Sequence, residues 1–277
     1  MPGFLQIARP PMFYRTCFVR TVLLSLLLLL MTGQALSTAQ AQPVEGRGRF
    51  LRWLYQDAGA LISQVNPRTP IYLAGAAFYL IPASGLDPQV NPEVRKITGG
   101  AFGSYLDVVN EFGGPRMNLP VTALFAASLA TKDRRFQDAA FTSFQSMLYA
   151  GVIGYTLKYA FGRSRPYEGQ GAFQFSPFSG HTSFPSGHTT TAFAIVTPWV
   201  LYYPNIGTYA LFAVCSGTAI ARLERDKHWA TDVLAGGTIG FLTAFWLTRR
   251  HQGALPNLSV TPGLVEDRPS LALSLRF

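Results

Sequence analysis

From residue 118 onward, apolar residues recur at helical spacing in long stretches that short polar or Gly/Pro-containing segments interrupt. Strand-like alternation is nearly absent from this region, so the pattern is typical of an all-α protein. Breakers such as Gly162 and Pro166 mark the helix ends. The pattern predicts five helices, at residues 119–131, 138–161, 188–201, 208–223 and 228–249. We therefore expect a helical bundle of about five to six core helices.

The segments on either side of this region are less regular. Apolar residues at roughly helical spacing predict a helix over 50–65, and 71–81 is a short apolar run. Residues 87–95 are polar with two prolines, which predicts a loop. At the C-terminus, leucines and Phe277 alternate with Ala, Ser and Arg, which predicts a strand paired with 259–264 in a small hairpin.

The N-terminus has the order of a secretory signal peptide. Three arginines without acidic residues precede the apolar run 22–31, and Ala39-Gln40-Ala41 supplies small residues at the cleavage positions. An uncleaved anchor helix is the alternative. The predicted organisation is a signal peptide at 1–41, a helical extension at 42–118, a helical core domain at 119–250 and a tail at 251–277. Cleavage would remove Cys17 and leave Cys215 alone, so no intramolecular disulfide is expected.

The composition and net charge of the chain indicate which kinds of molecule it is expected to bind. Only 13% of residues are charged, 48% are hydrophobic and the formal net charge is +9. A basic balance favours anionic partners such as phosphate groups or anionic lipid. Nucleic acid is not expected, because the basic residues form no long stripe and no nucleic-acid motif occurs. The mean hydropathy is only +0.19, which leaves open both a polytopic membrane domain and a compact exported helical domain.

Lys158 and Arg165 form the first candidate cluster, in the stretch KYAFGRSRP. They are seven residues apart, which is two turns on one helix face. Gly162 and Pro166 end the helix locally, so that Arg165 is free to turn toward a site. Arginine offers a planar fork that matches phosphate, and lysine a point charge. A basic helix end facing anionic lipid or solvent is the alternative.

Pro185-Ser186-Gly187-His188 forms the second cluster. Ser186 stands at the N-cap position of a predicted helix, where free backbone N–H groups and the helix dipole favour an anion. Gly187 allows the backbone to approach an oxyanion closely. His188 then lies in the first turn. An ordinary capped helix with a surface histidine is the alternative.

Arg222, His228 and Asp232 form the third cluster. His228 and Asp232 have helical i, i+4 spacing at the start of the last predicted helix. The carboxylate can accept the imidazole N–H and so leave the other ring nitrogen available for attack. An ion pair on a helix surface is the alternative.

In this order, the spacings K-x6-RP, PSGH and R-x5-H-x3-D resemble the three-part motif of the type 2 phosphatidic acid phosphatase (PAP2) superfamily. That family includes bacterial non-specific acid phosphatases, lipid phosphatases and vanadium haloperoxidases. With flanking helices, the resemblance covers about 119–248. It implies a PAP2-like helical bundle and a phosphatase domain at 119–250. The sequence departs from the family at Ala221, where the third motif often has serine.

The resemblance also implies a role for each residue. His228 would be the nucleophile that forms a phosphohistidine, Asp232 would orient it, and His188 would act as general acid and then general base. The phosphoryl oxygens would be held by a set of cations and helix-end groups: Lys158, Arg165, Ser186, Gly187 and Arg222. No metal or other cofactor is expected, and the sequence has no HExxH, CxxC or carboxylate cluster.

The other two histidines match no position of the motif. His181 lies in a loop rich in Gly, Ser and Phe, where a structural or pocket-rim role is expected. His251 follows Arg249-Arg250 after the last predicted helix, and we expect it at the surface. The loop 167–183 is the expected specificity loop, with Phe173, Phe175 and Phe178 as candidate walls for an acyl chain or ring.

The predicted function is metal-independent hydrolysis of a phosphomonoester or pyrophosphate on the periplasmic face of the envelope. The substrate is expected to be a lipid, and association with the membrane is expected. The alternatives are a vanadate-dependent haloperoxidase, an acid phosphatase acting on soluble esters and a non-catalytic envelope protein. About twenty residues separate Arg165 from Ser186, a short spacing that favours a phosphatase. The sequence leaves the substrate and the oligomeric state open.

Overall fold

The computed structural model describes residues 46, 48–63 and 84–253, together with the backbone of 257–265 and 268–276. The predicted signal peptide, the apolar run 71–81 and Cys17 lie outside these residues. The described part of the chain contains eight α-helices. They are α1 (Arg49–Ser63), α2 (Asp87–Ile97), α3 (Gly100–Asn110), α4 (Asn118–Ser128), α5 (Arg134–Phe161), α6 (Gly187–Tyr202), α7 (Ile206–Glu224) and α8 (Ala230–His251). Short 3₁₀ turns occur at Ser84–Leu86, Pro115–Met117 and Pro166–Glu168.

The all-α class and the five long helices predicted from periodicity are confirmed, with shifted ends. Helix α5 begins at Arg134 because Asp133 caps it, accepting a hydrogen bond of 3.1 Å from the backbone N–H of Phe136. Helix α8 begins only at Ala230. His228 therefore precedes the helix, and the expectation that it lies on α8 was wrong.

The prediction of a loop over 87–95 was also wrong, because these residues form α2. Pro88 lies in the first turn, where its missing N–H would have no partner within the helix. Pro92 removes only one further hydrogen bond of the helix. The residues of α3 carried no prediction of their own.

Helix α6 lies at the centre of the bundle and packs against α5, α7 and α8. Its buried residues Ala192, Val196 and Val200 form a core with Cys215 of α7, which is a free, buried thiol. Helix α8 approaches α6 very closely, since a Cβ atom at Gly240 would lie 2.2 Å from the carbonyl oxygen of Thr190. Glycine is required there, and the contact fixes α8 against the start of α6.

Helix α1 packs on α5 at the end of the bundle where α8 finishes. Phe50 and Trp53 of α1 contact Phe141 of α5. The ring of His251 stacks on Trp53 at a centroid distance of 3.9 Å, and its Nε2 lies 2.8 Å from Oδ2 of Asp57. The expectation of a surface position for His251 was wrong: its side chain is fully buried, because α1 covers it.

The predicted C-terminal hairpin is confirmed. Strands β1 (Asn257–Val265) and β2 (Arg268–Arg276) pair antiparallel, with Asn257 opposite Arg276. By length and composition, α7 and α8 are apolar enough to cross a membrane. On α7 two large apolar side chains, Ile206 and Tyr209, are exposed.

Candidate active site

The predicted site residues lie at one end of the bundle, where α5 and α7 finish and α6 and α8 begin. Helix α5 ends at Gly162, whose φ of +54° is the left-handed conformation that glycine adopts at little cost. A Cβ atom there would also lie 1.8 Å from the carbonyl oxygen of Ser176. The chain therefore turns sharply at Gly162, and the carbonyl oxygen of Arg163 accepts a hydrogen bond of 2.9 Å from the backbone N–H of Ser183, in the segment that precedes α6.

Lys158 projects from the last turn of α5 toward the segment that precedes α6. Its Nζ donates hydrogen bonds to the carbonyl oxygens of Thr182 (2.7 Å) and Pro185 (2.5 Å). An ammonium group has three hydrogens, so one is left for a ligand. Burial, followed by the positive charges of Arg165 and Arg222, lowers the pKa of Lys158 to about 8, while Asp232 opposes the shift.

Arg165 is only loosely held by the protein. One guanidinium nitrogen lies 3.2 Å from Oγ1 of Thr182, and another lies 3.5 Å from the carbonyl oxygen of Lys227. Both contacts are long for hydrogen bonds to a charged donor. The planar fork is therefore available to bind an anion at the mouth of the site.

Ser186 occupies the N-cap position of α6, as predicted. Its backbone N–H donates to the carbonyl oxygen of Asp232 (2.9 Å), and its Oγ lies 3.0 Å from Oγ1 of Thr189. Gly187 is next to the lysine, since a Cβ atom there would lie 3.7 Å from Cε of Lys158. The first and third motifs therefore both meet the N-terminus of α6.

His188 lies in the first turn of α6, half-buried against the Gly113-Gly114 turn. A Cβ atom at Gly114 would lie 3.2 Å from Nε2 of His188. Burial, and next the positive charge of Arg222, lowers the pKa of His188 to about 4, while Glu111 opposes the shift. Arg165 and Lys158 lower it further. The imidazole thus shares one electrostatic environment with all three cations.

Arg222, on the last turn of α7, is buried, with 8% of its surface exposed. One guanidinium nitrogen, Nη1, donates to Oδ1 of Asn110 (2.9 Å). Its Nε has no hydrogen-bond partner among the described residues. A buried donor of this kind favours an anionic ligand.

His228 lies in the turn before α8 and is 2% exposed. Its Nδ1 is 3.7 Å from Oδ2 of Asp232, which is longer than a hydrogen bond, and has no other partner among the described residues. Burial lowers the pKa of His228 to about 4, although Asp232 opposes the shift. The other ring nitrogen, Nε2, is the one left to react with a ligand.

The most important neighbour that the sequence did not indicate is Arg163. This side chain is 1% exposed, and its Nη1 donates to Oδ1 of Asp232 (2.6 Å). Its Nη2 donates to Oδ2 of Asp87 (2.7 Å), a residue of α2. Arg163 lies inside the first motif stretch, but sequence spacing carries no signal for the burial of a charge.

The loop 167–183 forms the rim of the site. Nδ1 of His181 lies 2.8 Å from a carboxylate oxygen of Glu168, consistent with the expected rim position. Phe173 and Phe178 are 56% and 79% exposed. Phe175 instead packs against Phe161 and lies under the guanidinium of Arg163. Of the three predicted aromatic walls, two are therefore free to contact a ligand.

No group of three or more His, Cys, Asp or Glu side chains is arranged to hold a metal ion within the described ranges.

The sequence of this chain matches the model of one protein family. A sequence model described as the PAP2 superfamily matches residues 139–255. This segment runs from α5 to just beyond α8 and contains all three motifs.

Two curated relatives are similar to this chain. The chain is 32% identical over 215 residues to a lipid A 1-phosphatase of Porphyromonas gingivalis, which covers 66% of this chain and 43% of the relative. It is 36% identical over 115 residues to a lipid A 1-phosphatase of Rhizobium etli, which covers 38% of this chain and 49% of the relative. The chain thus spans less than half the length of these relatives.

Among solved structures, the chain is similar to a transmembrane PAP2 type phosphatidylglycerolphosphate phosphatase from Bacillus subtilis. The two share 17% sequence identity, with a TM-score of 0.46, over 82% of this chain and 94% of the other.

Proposed function

Because residues 139–255 match the PAP2 superfamily, we propose that the chain is a phosphatase that hydrolyses a phosphate ester of a lipid. We propose that the reaction proceeds through a phosphohistidine on His228. A lipid A-type 1-phosphate is the first substrate to test, since the curated relatives bear that activity in their names.

One observation carries this proposal: two histidines and three cations converge on the N-terminus of α6. Burial is the largest cause that lowers the pKa values of His188 and His228, and the charges of Lys158 and Arg165 lower both further. Charges influence one another in this way only at short range. Three cations and a helix N-terminus around two imidazoles match what phosphoryl transfer requires, which is positioning and neutralisation of charge.

In the first step, Nε2 of His228 would attack phosphorus. The P–N bond forms as the P–O bond to the lipid breaks, and the leaving oxygen takes a proton from His188. Asp232, beside Nδ1, stabilises the positive charge that develops on the His228 ring. Lys158, Arg165 and Arg222 would hold the three non-bridging oxygens.

In the second step, His188 would accept a proton from water, whose oxygen attacks phosphorus and breaks the P–N bond. Phosphate leaves and His228 is restored. The two roles require His188 to be protonated in the first step, although its pKa in the free protein is about 4. A bound phosphate dianion places negative charge beside the ring, which raises its pKa and allows protonation.

The proposed chemistry depends on protein groups alone. The cations take the part that metal ions play in other phosphoryl-transfer enzymes, by neutralising the charge on the equatorial oxygens. Ser186 and Gly187 are proposed to add contacts from the helix start.

A substrate panel on the purified full chain in detergent tests the function. Phosphate release would be measured with excess EDTA from phosphatidate, phosphatidylglycerophosphate, undecaprenyl pyrophosphate, a lipid A 1-phosphate and p-nitrophenyl phosphate. We expect release from a lipid substrate, competitive inhibition by vanadate, and no release by His228→Ala. Failure to release phosphate from every substrate, or a strict requirement for added metal, would contradict the proposal.

We also propose that the site faces the periplasm. The opposite end of the bundle carries basic residues at the start of α5 and the end of α8, namely Arg134, Arg135, Arg249 and Arg250. In a membrane protein such residues favour the cytoplasmic side. The exposed apolar residues of α7 support association with lipid.

Thiol labelling distinguishes the two ends. Gln170→Cys lies in an exposed loop beside the site, and Gln252→Cys is exposed at the other end. In cells with a permeabilised outer membrane, a maleimide that cannot cross the inner membrane should label Gln170→Cys before lysis. The same reagent should label Gln252→Cys only after lysis. Labelling of both before lysis indicates an exported domain that does not span the membrane. Protection of Gln170→Cys before lysis would contradict a periplasmic site.

A further inference from the structure

Helix α2 lies outside residues 139–255, which match the family, yet it contacts the centre of the site. Asp87, at its first position, is 1% exposed. Oδ1 of Asp87 accepts a hydrogen bond from the backbone N–H of Thr231 (3.0 Å), and Oδ2 accepts one from the Thr231 hydroxyl (2.5 Å). Oδ2 also accepts from Nη2 of Arg163 (2.7 Å).

Arg163 links this carboxylate to Asp232. A guanidinium group has five N–H donors, and Arg163 makes five hydrogen bonds. Two go to the carbonyl oxygen of Ala172, one to Asp87, one to the hydroxyl of Thr231 and one to Oδ1 of Asp232. The guanidinium plane therefore has a single orientation.

The charges of the three buried groups are coupled. Asp87 and Asp232 carry two negative charges and Arg163 one positive charge, so the chain of ion pairs has a net charge of −1. That remaining charge faces Nδ1 of His228, 3.7 Å from Asp232. Without the charge of Asp87, Arg163 would neutralise Asp232 completely, and the developing imidazolium would lose its counter-charge.

Helix α2 also holds the backbone on which His228 stands. Nδ2 of Asn91 donates to the carbonyl oxygen of His228 (3.1 Å) and to Oδ1 of Asp226 (3.1 Å). Asp226 has a φ of +51°, a left-handed conformation that is uncommon for residues other than glycine, although Asp and Asn adopt it more often than most. Arg95 pairs with the same carboxylate. The turn before α8 is thus held from α2 at two points.

We propose that Asp87 is a positioning residue for the reaction, which acts through Arg163 on Asp232 and so on His228. The proposal rests on the proposed phosphatase function. The hydrogen bonds and ion pair of Asp87 go to Arg163 and Thr231, and not to Lys158, Arg165 or Arg222, so we expect its effect in the chemical step and not in substrate binding. The region required for catalysis therefore extends beyond the family segment to α2.

The first test is Asp87→Asn, which keeps the size of the side chain and removes its charge. With p-nitrophenyl phosphate we expect kcat to fall about tenfold or more, as for loss of a charged hydrogen bond, with KM and the inhibition constant of vanadate unchanged. The control is Glu93→Gln on the same helix, whose side chain is 69% exposed; it should leave kcat unchanged. If kcat/KM falls only because KM rises, while kcat is unchanged, the proposal is overturned.

A double-mutant cycle separates positioning from simple destabilisation. If Asp87 acts through Asp232, Asp87→Asn should have little further effect on kcat in an Asp232→Asn background, because the two effects are not additive. A full tenfold loss in that background would show that Asp87 acts independently. If Asp87→Asn does not fold, Thr231→Val removes only the hydroxyl that hydrogen-bonds both Asp87 and Arg163, and leaves their direct ion pair in place. It should lower kcat by a smaller factor with KM unchanged, and an unchanged kcat would contradict the proposal.

A readout without turnover keeps this inference apart from the proposed function. Imidazole NMR on the full chain, with His228 assigned by His228→Ala, gives its pKa directly. Asp87→Asn should lower that pKa, since a cation loses a nearby anion, whereas Glu93→Gln should not. A lowered pKa in a chain that hydrolyses no phosphate ester would support the link and reject the function. An unchanged pKa would reject the link itself.

Discussion

Oδ2 of Asp232 lies 3.7 Å from Nδ1 of His228, and the carboxylate is held in that place. It accepts hydrogen bonds from Arg163 (2.6 Å), from the hydroxyl of Ser183 (2.5 Å) and from the backbone N–H of Trp229 (2.9 Å). Asp232 is thereby part of the N-terminal capping of α8 as well as the neighbour of His228. With Nδ1 protonated toward this fixed acceptor, Nε2 would carry the lone pair for the proposed attack on phosphorus.

The two reactive histidines should give different defects. His228→Ala should abolish both turnover and phosphoenzyme, because no nucleophile remains. His188→Ala should still phosphorylate His228 slowly from p-nitrophenyl phosphate, whose leaving group needs little protonation, and the acid-labile phosphohistidine should accumulate. Rapid quench with labelled substrate measures both. His181→Ala, at the rim, should leave turnover of this small substrate intact. Phosphoenzyme in His228→Ala would show that the nucleophile is wrongly assigned.

Arg165→Lys should lower kcat/KM by about tenfold or more, because it keeps the charge and loses the bidentate fork, and hydrogen bonds to charged groups contribute ~1.5–3 kcal/mol. Steady-state kinetics with p-nitrophenyl phosphate measures the change. Arg52→Lys, on the exposed face of α1, is the matched control and should have no effect. If both variants retain full activity, Arg165 does not bind the phosphoryl group.

The pKa of about 8 for Lys158 predicts an alkaline limit to activity. As pH rises through 8, the ammonium of the free protein loses its proton and its attraction for the phosphate dianion. The value of kcat/KM, which reports groups of the free enzyme, should therefore fall above pH 8. In Lys158→Arg the guanidinium stays charged, so the remaining activity should show no such fall. Lys96→Arg, at an exposed position, is the control and should still show the fall of kcat/KM above pH 8. If kcat/KM of Lys158→Arg falls at the same pH, the alkaline fall belongs to a group other than Lys158.

Asp57→Asn should destabilise the fold without changing the chemistry. Asp57 is fully buried and binds Arg250, His251 and Gln145. Breaking a buried ion pair typically costs about 3 kcal/mol or more, so a thermal melt should show a clearly lower Tm. Activity per folded molecule should persist, because nineteen residues of α8 put His251 about 28 Å from Asp232. Glu93→Gln, from an exposed pair, should leave the Tm unchanged. An unaltered Tm in Asp57→Asn would mean that this cluster does not anchor α1.

The sequence alone predicted the features that depend on local patterning. Five long helices followed from apolar residues at helical spacing and from breakers such as Gly162, since both act within a few residues. The resemblance to the PAP2 superfamily followed from three short motifs in a set order, and the match over 139–255 confirms that resemblance. The roles of the site residues followed from the same resemblance and stay predictions, although the structure brings those residues to one end of the bundle.

Only the tertiary structure decided which charges are buried and what they bind. Residues 87–95 read as a polar loop, but α2 forms because its N-terminal Asp87 packs against Arg163 and Thr231, from distant parts of the chain. His251 follows two arginines and read as a surface residue, but α1 covers it with Trp53 and Asp57. Burial of a charged group depends on which distant elements pack around it, and no local pattern encodes that. The fixed position of Asp232 beside His228 is therefore a property of the assembled bundle.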